Sequence, residues 1–209
     1  DRNGNMEKVT QPNGDVSAFV YDVLGSMVES SDAAGLVKNY RYDSMGRVTE
    51  VFDNTGARLT YEYDQYGRLV KQTDVAGRSE SYEYDAFSQV IAVTGTDGNT
   101  SLFDYDALGR LVLYTDAEHK TTTFTYDAMG NLLHRSESDG AVYQYAYDKL
   151  NQVTEITDPV GAKTAYTYDK NGNLLSSTDG NGVTNSYAYD QLNRLTAATD
   201  GNGNTTSYK

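Results

Sequence analysis

A Tyr-Asp pair returns every 21 residues along the whole chain, and this spacing limits the possible folds more than any other property. A constant period of this length, without insertion or deletion, is typical of arrays in which each repeat is one supersecondary unit stacked on the next. We number each repeat from its Asp, so that position 1 of the second repeat is Asp22 and position 21 is Tyr42. The pairs are Tyr21-Asp22, Tyr42-Asp43, Tyr63-Asp64, Tyr84-Asp85, Tyr105-Asp106, Tyr126-Asp127, Tyr147-Asp148, Tyr168-Asp169 and Tyr189-Asp190.

Each repeat contains two Asp-x-x-Gly-type turns and two short runs rich in Val, Thr, Tyr and Leu, at positions 5 to 10 and 15 to 21. This pattern predicts two β-strands per repeat, and a turn every ten residues or so argues against helices. The predicted fold is therefore all-β, a repetitive antiparallel meander or solenoid of about twenty strands. Position 4 is occupied mostly by Gly, which adopts a left-handed backbone at low cost; these residues are Gly4, Gly25, Gly46, Gly67, Gly109, Gly130 and Gly172.

The odd period constrains the turns, because side chains alternate between the two faces of a strand. Equivalent residues share a face only if one turn contributes an odd step and the other an even one. We expect a three-residue loop with a Gly bulge in the first turn and a four-residue loop in the second. This assignment places Leu69 opposite both Tyr63 and Tyr82, and places positions 5, 7, 9, 16, 18 and 20 on the other face.

The chain is interpreted as one domain, residues 1–209, made of ten 21-residue repeats. It begins at the Asp of a Tyr-Asp pair and ends one residue before the next Tyr, so we expect it to be a segment of a longer chain. Twenty strands at about 4.8 Å spacing make a strip roughly 96 Å wide, and such wide sheets curl, split or close. We expect the strip to coil into a hollow shell or to continue as a filament.

The composition excludes several classes of function. A net charge of −13 argues against a nucleic-acid partner, because binding phosphates requires clustered Lys and Arg. The absence of Cys excludes disulfides and thiolate zinc sites, and no apolar run is long enough to span a membrane. Tyr accounts for 19 residues, so the core is expected to be largely aromatic.

Candidates for catalysis or ligand binding are few. The Asp at position 1 is interpreted as a cap of its own turn rather than a calcium ligand, although Asp179–Gly182 and Asp200–Gly203 loosely resemble calcium-binding turns. The histidines His119 and His134 belong to different repeats, and no nucleophile elbow, phosphate loop or dinucleotide fingerprint is present. We predict no catalytic, cofactor-binding or metal-binding residue and no cofactor; the chain is not expected to be an enzyme. The Arg residues at position 5 are expected to pair with nearby Asp as a modest surface contribution.

The repeat Tyr105-Asp-Ala-Leu-Gly-Arg-Leu-Val-Leu-Tyr-Thr-Asp116, followed by Phe124-Thr-Tyr126-Asp127, resembles the YD repeat of the Rhs family over the whole chain. That family includes bacterial wall-associated Rhs proteins, the B and C components of insecticidal toxin complexes, and the teneurins. The resemblance implies a β-strip that spirals into a hollow shell, and a secreted or cell-surface, bacterial location. Its toxin members enclose an effector polypeptide. The segment Asp158-Pro-Val-Gly161 superficially matches the self-cleavage motif of these shells, but it occupies the ordinary second turn of its repeat.

The function predicted from these observations is that of a non-catalytic segment of a Rhs shell, which encapsulates or displays a toxin or effector polypeptide. Its partners would be further repeats of the same chain or other copies, and an enclosed polypeptide. One alternative is an extracellular adhesion or carbohydrate-binding module, because tyrosines in a regular ladder can stack on sugar rings. Another is a self-assembling β-fibre whose open strand edges pair.

Overall fold

The computed structural model describes all 209 residues and contains twenty β-strands and no helix. The residues divide into two units, Asp1–Leu102 and Phe103–Lys209. Strands β1 to β10 pair antiparallel, each with the next strand in sequence, and β11 to β20 do the same; β10 crosses the boundary between the two units. The predicted all-β antiparallel meander with two strands per repeat is confirmed. The single-domain assignment stays a prediction.

The strands are three to six residues long and follow the repeat throughout. Their bounds are β1 Lys8–Thr10, β2 Val16–Tyr21, β3 Met27–Ser31, β4 Val37–Tyr42, β5 Val48–Asp53, β6 Arg58–Tyr63, β7 Leu69–Thr73, β8 Ser79–Tyr84, β9 Val90–Thr94, β10 Thr100–Tyr105, β11 Leu111–Thr115, β12 Thr121–Tyr126, β13 Leu132–Glu137, β14 Val142–Tyr147, β15 Val153–Thr157, β16 Lys163–Tyr168, β17 Leu174–Thr178, β18 Thr184–Tyr189, β19 Leu195–Thr199 and β20 Thr205–Ser207.

Both turns of each repeat are three-residue loops, so the prediction of a four-residue second loop is wrong. In the first turn the N–H of Asp64 donates to the carbonyl of Arg68, and in the second the N–H of Asp74 donates to the carbonyl of Arg78. Positive φ angles are found at both position 4 and position 14, including the sites without Gly, which are Ser88, His119, Asn151 and Asn193. These are the turns in which a left-handed residue closes a type I loop.

The odd residue of the period is a β-bulge within the strand rather than a longer turn. Tyr63 is paired with Leu69, but the preceding residue, Glu62, is paired with Lys71, so Val70 at position 7 has no partner of its own. The same shift recurs at the equivalent place in other repeats. A bulge adds one residue to one strand, so the repeat keeps equivalent side chains on the same face despite its odd length.

The bulge changes which residues share a face. The predicted pairing of position 6 with position 21 of the preceding repeat is confirmed by Leu69 and Tyr63. The predicted pairing of Leu69 with Tyr82 is wrong, because Tyr82 is paired with Val93 at position 9 of the next repeat. Position 9, which the loop assignment put on the opposite face, therefore lies on the same face as the tyrosines. We call this face the tyrosine face; it carries positions 6, 9, 17, 19 and 21.

The sheet encloses no core of its own. Ala92 and Glu50 are the buried residues, and no large side chain is fully buried. Along the strands at positions 16 to 21 the burial alternates, as in β12, where Phe124 and Tyr126 are half-buried and Thr123 and Thr125 are exposed. The expected aromatic core is therefore a half-buried aromatic layer on one side of the strip.

Candidate functional site

The Asp residue at position 1 caps its own turn, as the sequence predicts. In the third repeat, Oδ1 of Asp43 accepts hydrogen bonds of 2.9 Å from the N–H of Met45 and 3.0 Å from the N–H of Arg47. The Asp at position 11 does the same, since Asp74 accepts from the N–H groups of Ala76 and Arg78. The carboxylate thus satisfies two main-chain donors that the loop leaves without partners.

These hydrogen bonds also change the acidity of the carboxyl groups. The Arg47 side chain, followed by its N–H group, holds the pKa of Asp43 below its usual value of 3.8. Arg110 has the same effect on the pKa of Asp106. Donors that bind the charged form favour it. The carboxylates of Asp43 and Asp106 therefore stay ionised at neutral pH and serve as acceptors.

The Arg residue at position 5 connects three groups on the tyrosine face. The Nε of Arg68 donates to Asp64 at 2.7 Å, and its Nη1 donates at 3.0 Å to the carbonyl of Asp85 in the next repeat. The guanidinium also lies over the ring of Tyr84, 4.6 Å from the ring centre. Arg47 and Arg110 make the same set of contacts. The predicted Arg–Asp pairs are confirmed, but the contacts to the neighbouring repeat were not predicted.

The tyrosine at position 21 completes this connection. The hydroxyl of Tyr84 donates to the carbonyl of Leu69 at 2.7 Å. Leu69 is the residue immediately before the bulged Val70, so the hydroxyl binds at the point where the regular register breaks. Equivalent bonds are made by Tyr21, Tyr42, Tyr63, Tyr126 and Tyr168.

Burial raises the pKa of several of these hydroxyl groups. Burial is the largest cause for Tyr42, Tyr126, Tyr147 and Tyr168, whose pKa values lie above the usual value of 10.0. Burial, with the neighbouring Glu80 carboxylate, raises the pKa of Tyr82 to about 12. The tyrosines of this face are therefore neutral hydrogen-bond donors rather than activated nucleophiles.

We call the Asp at position 1, the Arg at position 5 and the Tyr at position 21 the turn ladder. In repeats 7, 8 and 9, which have Asn or Gln at position 5, amide side chains connect the first turns instead. The amide of Asn131 donates at 2.9 Å to the side-chain oxygen of Asn151, twenty residues further on. The amide of Asn173 donates at 2.8 Å to Asn193 in the same way. The first turns of repeats 3, 4, 6, 7, 8 and 9 are thus each tied to the next one by a side chain.

The two histidines are not brought together. His119 occupies the left-handed position of a second turn, with φ of 62°, and Nδ1 of His134 lies 3.0 Å from the hydroxyl of Thr125. No group of three or more His, Cys, Asp or Glu side chains is arranged to hold a metal ion. The segment starting at Asp158 is an ordinary turn in which Asp158 accepts from Val160 and Ala162. The structure has no helix with the length and apolar character needed to cross a membrane.

The family model described as RHS Repeat matches this chain over residues 42–79, 63–100, 105–142, 131–165, 147–184 and 168–206, which together cover more than half of the chain. No curated protein matches the chain.

Solved structures of toxin-complex proteins share the fold. The crystal structure of TcdB2-TccC3-Cdc42 has a TM-score of 0.61 and 16% identity, over 95% of this chain and 13% of that one. The crystal structure of TcdB2-TccC3 has a TM-score of 0.60 and 17% identity, over 95% of this chain and 14% of that one. The Tc holotoxin pore of Photorhabdus luminescens has a TM-score of 0.59 and 16% identity. This chain spans about one seventh of the length of the structures it matches.

Proposed function

Because the chain belongs to the RHS-repeat family, we propose that it is a non-catalytic wall segment of an RHS-type β-shell that encloses or displays an effector polypeptide. The proposal covers a structural role, an extracellular or cell-surface location and a bacterial source. The matched structures, which are toxin-complex proteins, support this assignment by their fold.

The observation that carries the proposal is the turn ladder. Its Asp and Tyr side chains, and the Arg of the repeats that carry one, bind main-chain groups of their own or the neighbouring repeat. Residues used in this way hold strands side by side and leave no reactive group for a substrate. A wall needs this regular lateral connection, whereas an enzyme needs a cluster that differs from its surroundings.

Protection from proteases tests whether the wall encloses an effector polypeptide. The native polypeptide that carries this segment would be purified from its source, treated with protease and examined by mass spectrometry before and after denaturation. We expect an effector segment that is resistant while the wall is intact and is digested after unfolding. If every part of the polypeptide outside the repeats is digested at once, the proposal of an enclosed effector is wrong.

Two matched variants connect the protection to the wall. Tyr84→Ala removes a hydroxyl bond to Leu69 and the ring under Arg68, so it should shorten the protection time. Lys71→Ala removes an exposed side chain whose ion pair with Glu62 spans 3.6 Å, so it should leave protection unchanged. Equal effects of both variants on the protection time would contradict a wall that is held together by the turn ladder. Saturable sugar binding that Tyr84→Ala abolishes would favour the carbohydrate-binding alternative.

A further inference from the structure

The first turns of the repeats carry a row of exposed, largely apolar side chains, of which Tyr66 lies under the guanidinium of Arg68, which is 5.1 Å from the ring centre. They occupy position 3, at the tip of the turn, and their exposed fractions range from 67% to 88%. In the first unit they are Leu24, Met45, Tyr66 and Phe87, and in the second Leu108, Met129, Leu150 and Leu192. Single exposed apolar residues are common on protein surfaces, but a contiguous apolar patch usually marks an interaction site.

The topology places these side chains on one edge. In an antiparallel meander successive hairpin turns lie alternately at the two ends of the strands. All first turns of a unit therefore lie along one side of the strip, and all second turns lie along the other side. Consecutive first turns are two strands apart, which is about 9.6 Å. We call the row of first turns in each unit the apolar edge.

The two edges differ in charge as well as in apolar character. The five-residue segments of the first turns, positions 1 to 5, carry a total charge of −3, while those of the second turns, positions 11 to 15, carry −10. Arg47 and Arg68 contribute to this difference, since each neutralises the Asp of its own turn. The second-turn edges of two copies would repel each other, whereas two apolar edges would meet with little repulsion.

We infer that the apolar edge binds the apolar edge of a second copy of this repeat strip. A partner that covers every exposed side chain of the row must carry apolar groups at the same spacing, and a second copy does so by construction. Two copies related by a twofold axis present the same row to each other, which is the usual geometry of a homodimer. This contact does not depend on an enclosed polypeptide.

The area is sufficient for a specific contact. At roughly 150 Å² for each of its four large side chains, the row of one unit on two copies would bury at most about 1,200 Å² in total. Specific interfaces begin at about 1,000 Å², so the row of one unit is enough to reach this limit. The row also places aromatic side chains, Tyr66 and Phe87, side by side in the first unit, and aromatic residues contribute most to binding at interfaces.

Sedimentation velocity of the 209-residue chain over a concentration series tests the contact. The chain itself supplies a conservative substitution, since position 3 is Asn in Asn3 and Asn171, and Asn171 forms the same turn as its neighbours. We expect the unaltered chain to associate, and we expect the variant with Asn at the eight apolar positions to associate at least tenfold more weakly. The control is the pair Val75→Asn and Val160→Asn, which removes exposed valines from the second-turn edge and should leave association unchanged.

A second measurement does not depend on replacing the row. Because the chain has no cysteine, a single Leu108→Cys variant has one thiol, which should form an intermolecular disulfide faster than the thiol of Val160→Cys. A monomer at every concentration would overturn the inference. Equal association of the unaltered chain and the Asn variant would also overturn it and would point to pairing through the end strands β1 and β20. Faster disulfide formation by Val160→Cys than by Leu108→Cys would overturn it as well.

Discussion

Arg47, Arg68 and Arg110 each combine a contact that the sequence predicts with two that it does not. The ion pair with the Asp four residues earlier follows from a local spacing, and the structure places Arg68 at 2.7 Å from Asp64. The stacking on Tyr84 joins residues sixteen positions apart. That contact depends on the register of two strands, and the register cannot be predicted from the residue types Arg and Tyr alone.

Arg68 and Arg194 form a matched pair for measuring the lateral contacts. Both make the ion pair within their own turn, but the Arg68 side chain is 20% exposed and the Arg194 side chain 74%. Arg68→Ala should lower the free energy of unfolding by about 1–3 kcal/mol, through the lost cation–π contact and the lost charged hydrogen bond to Asp85. Arg194→Ala should change it by less than about 0.5 kcal/mol. Urea denaturation checks both, and equal losses would contradict a role for Arg68 between repeats.

The hydroxyl of Tyr126 gives a second prediction at this scale. It donates to the carbonyl of Leu111 at 2.8 Å, at the residue before a bulge. Tyr126→Phe removes this bond but keeps the ring, so it should lower the free energy of unfolding by about 1 kcal/mol. The control is Tyr66→Phe, because the Tyr66 side chain is exposed at a turn tip. If both substitutions have the same small effect in urea denaturation, the hydroxyl bond contributes nothing to stability.

At the scale of the hairpin, the sequence determines the turns but not the site of the odd residue. Position 1 Asp and position 4 Gly are residues with a known role in tight turns, and both take that role. Because the period of 21 residues is odd, each repeat needs one extra residue to keep equivalent side chains on the same face. A longer loop and a bulge both supply that residue. The bulged positions hold ordinary strand residues such as Val70 and Leu133, so their side chains give no signal that would distinguish the two solutions.

The left-handed turn positions give a prediction for the hairpin. His119 has φ of 62°, where a residue with a β-carbon is strained and Gly is not. His119→Gly should therefore raise the free energy of unfolding by about 1 kcal/mol. Asn151→Gly, at φ of 61°, should raise it less, because Asn tolerates this conformation and its side-chain oxygen accepts a bond from Asn131. A larger gain from Asn151→Gly than from His119→Gly, measured by thermal unfolding, would contradict this account.

At the scale of the whole molecule, stability is distributed over many similar contacts instead of being concentrated in a core. The period, the strand number and the alternating burial follow from a 21-residue pattern read without a structure. The apolar edge cannot be predicted from that pattern, because its residues Leu24, Met45 and Phe87 resemble ordinary variable turn residues until their exposure is known. In such arrays the total stability is close to a sum over repeats and the contacts between neighbours.

This repetition leads to a prediction about pH. Hydrogen bonds within the turns lower the pKa of Asp43, Asp53, Asp74, Asp106, Asp127 and Asp169 below 3.8. A carboxyl group whose pKa is lowered by folding stabilises the protein above its unfolded pKa and loses that contribution as the pH falls through its folded pKa. Burial raises the pKa of Tyr126, and that of Tyr82 at position 19 to about 12, so their contribution is present below the unfolded pKa and is lost as the pH rises through the folded pKa.

The urea midpoint should therefore be constant between about pH 5 and pH 9, fall below about pH 4 and fall again above about pH 10. A competing effect has the opposite sign on the acid side, since protonation relieves the repulsion within a chain of net charge −13. Because salt screens exposed charges, measuring the acid limb at low and high salt separates the two effects. Asp106→Asn keeps a side-chain oxygen that accepts from the N–H groups of Leu108 and Arg110 and is not protonated in this range, so hydrogen exchange in its own turn should lose its dependence on acid. A midpoint that rises steadily from pH 5 to pH 3 would mean that charge repulsion outweighs the bonds of the turns.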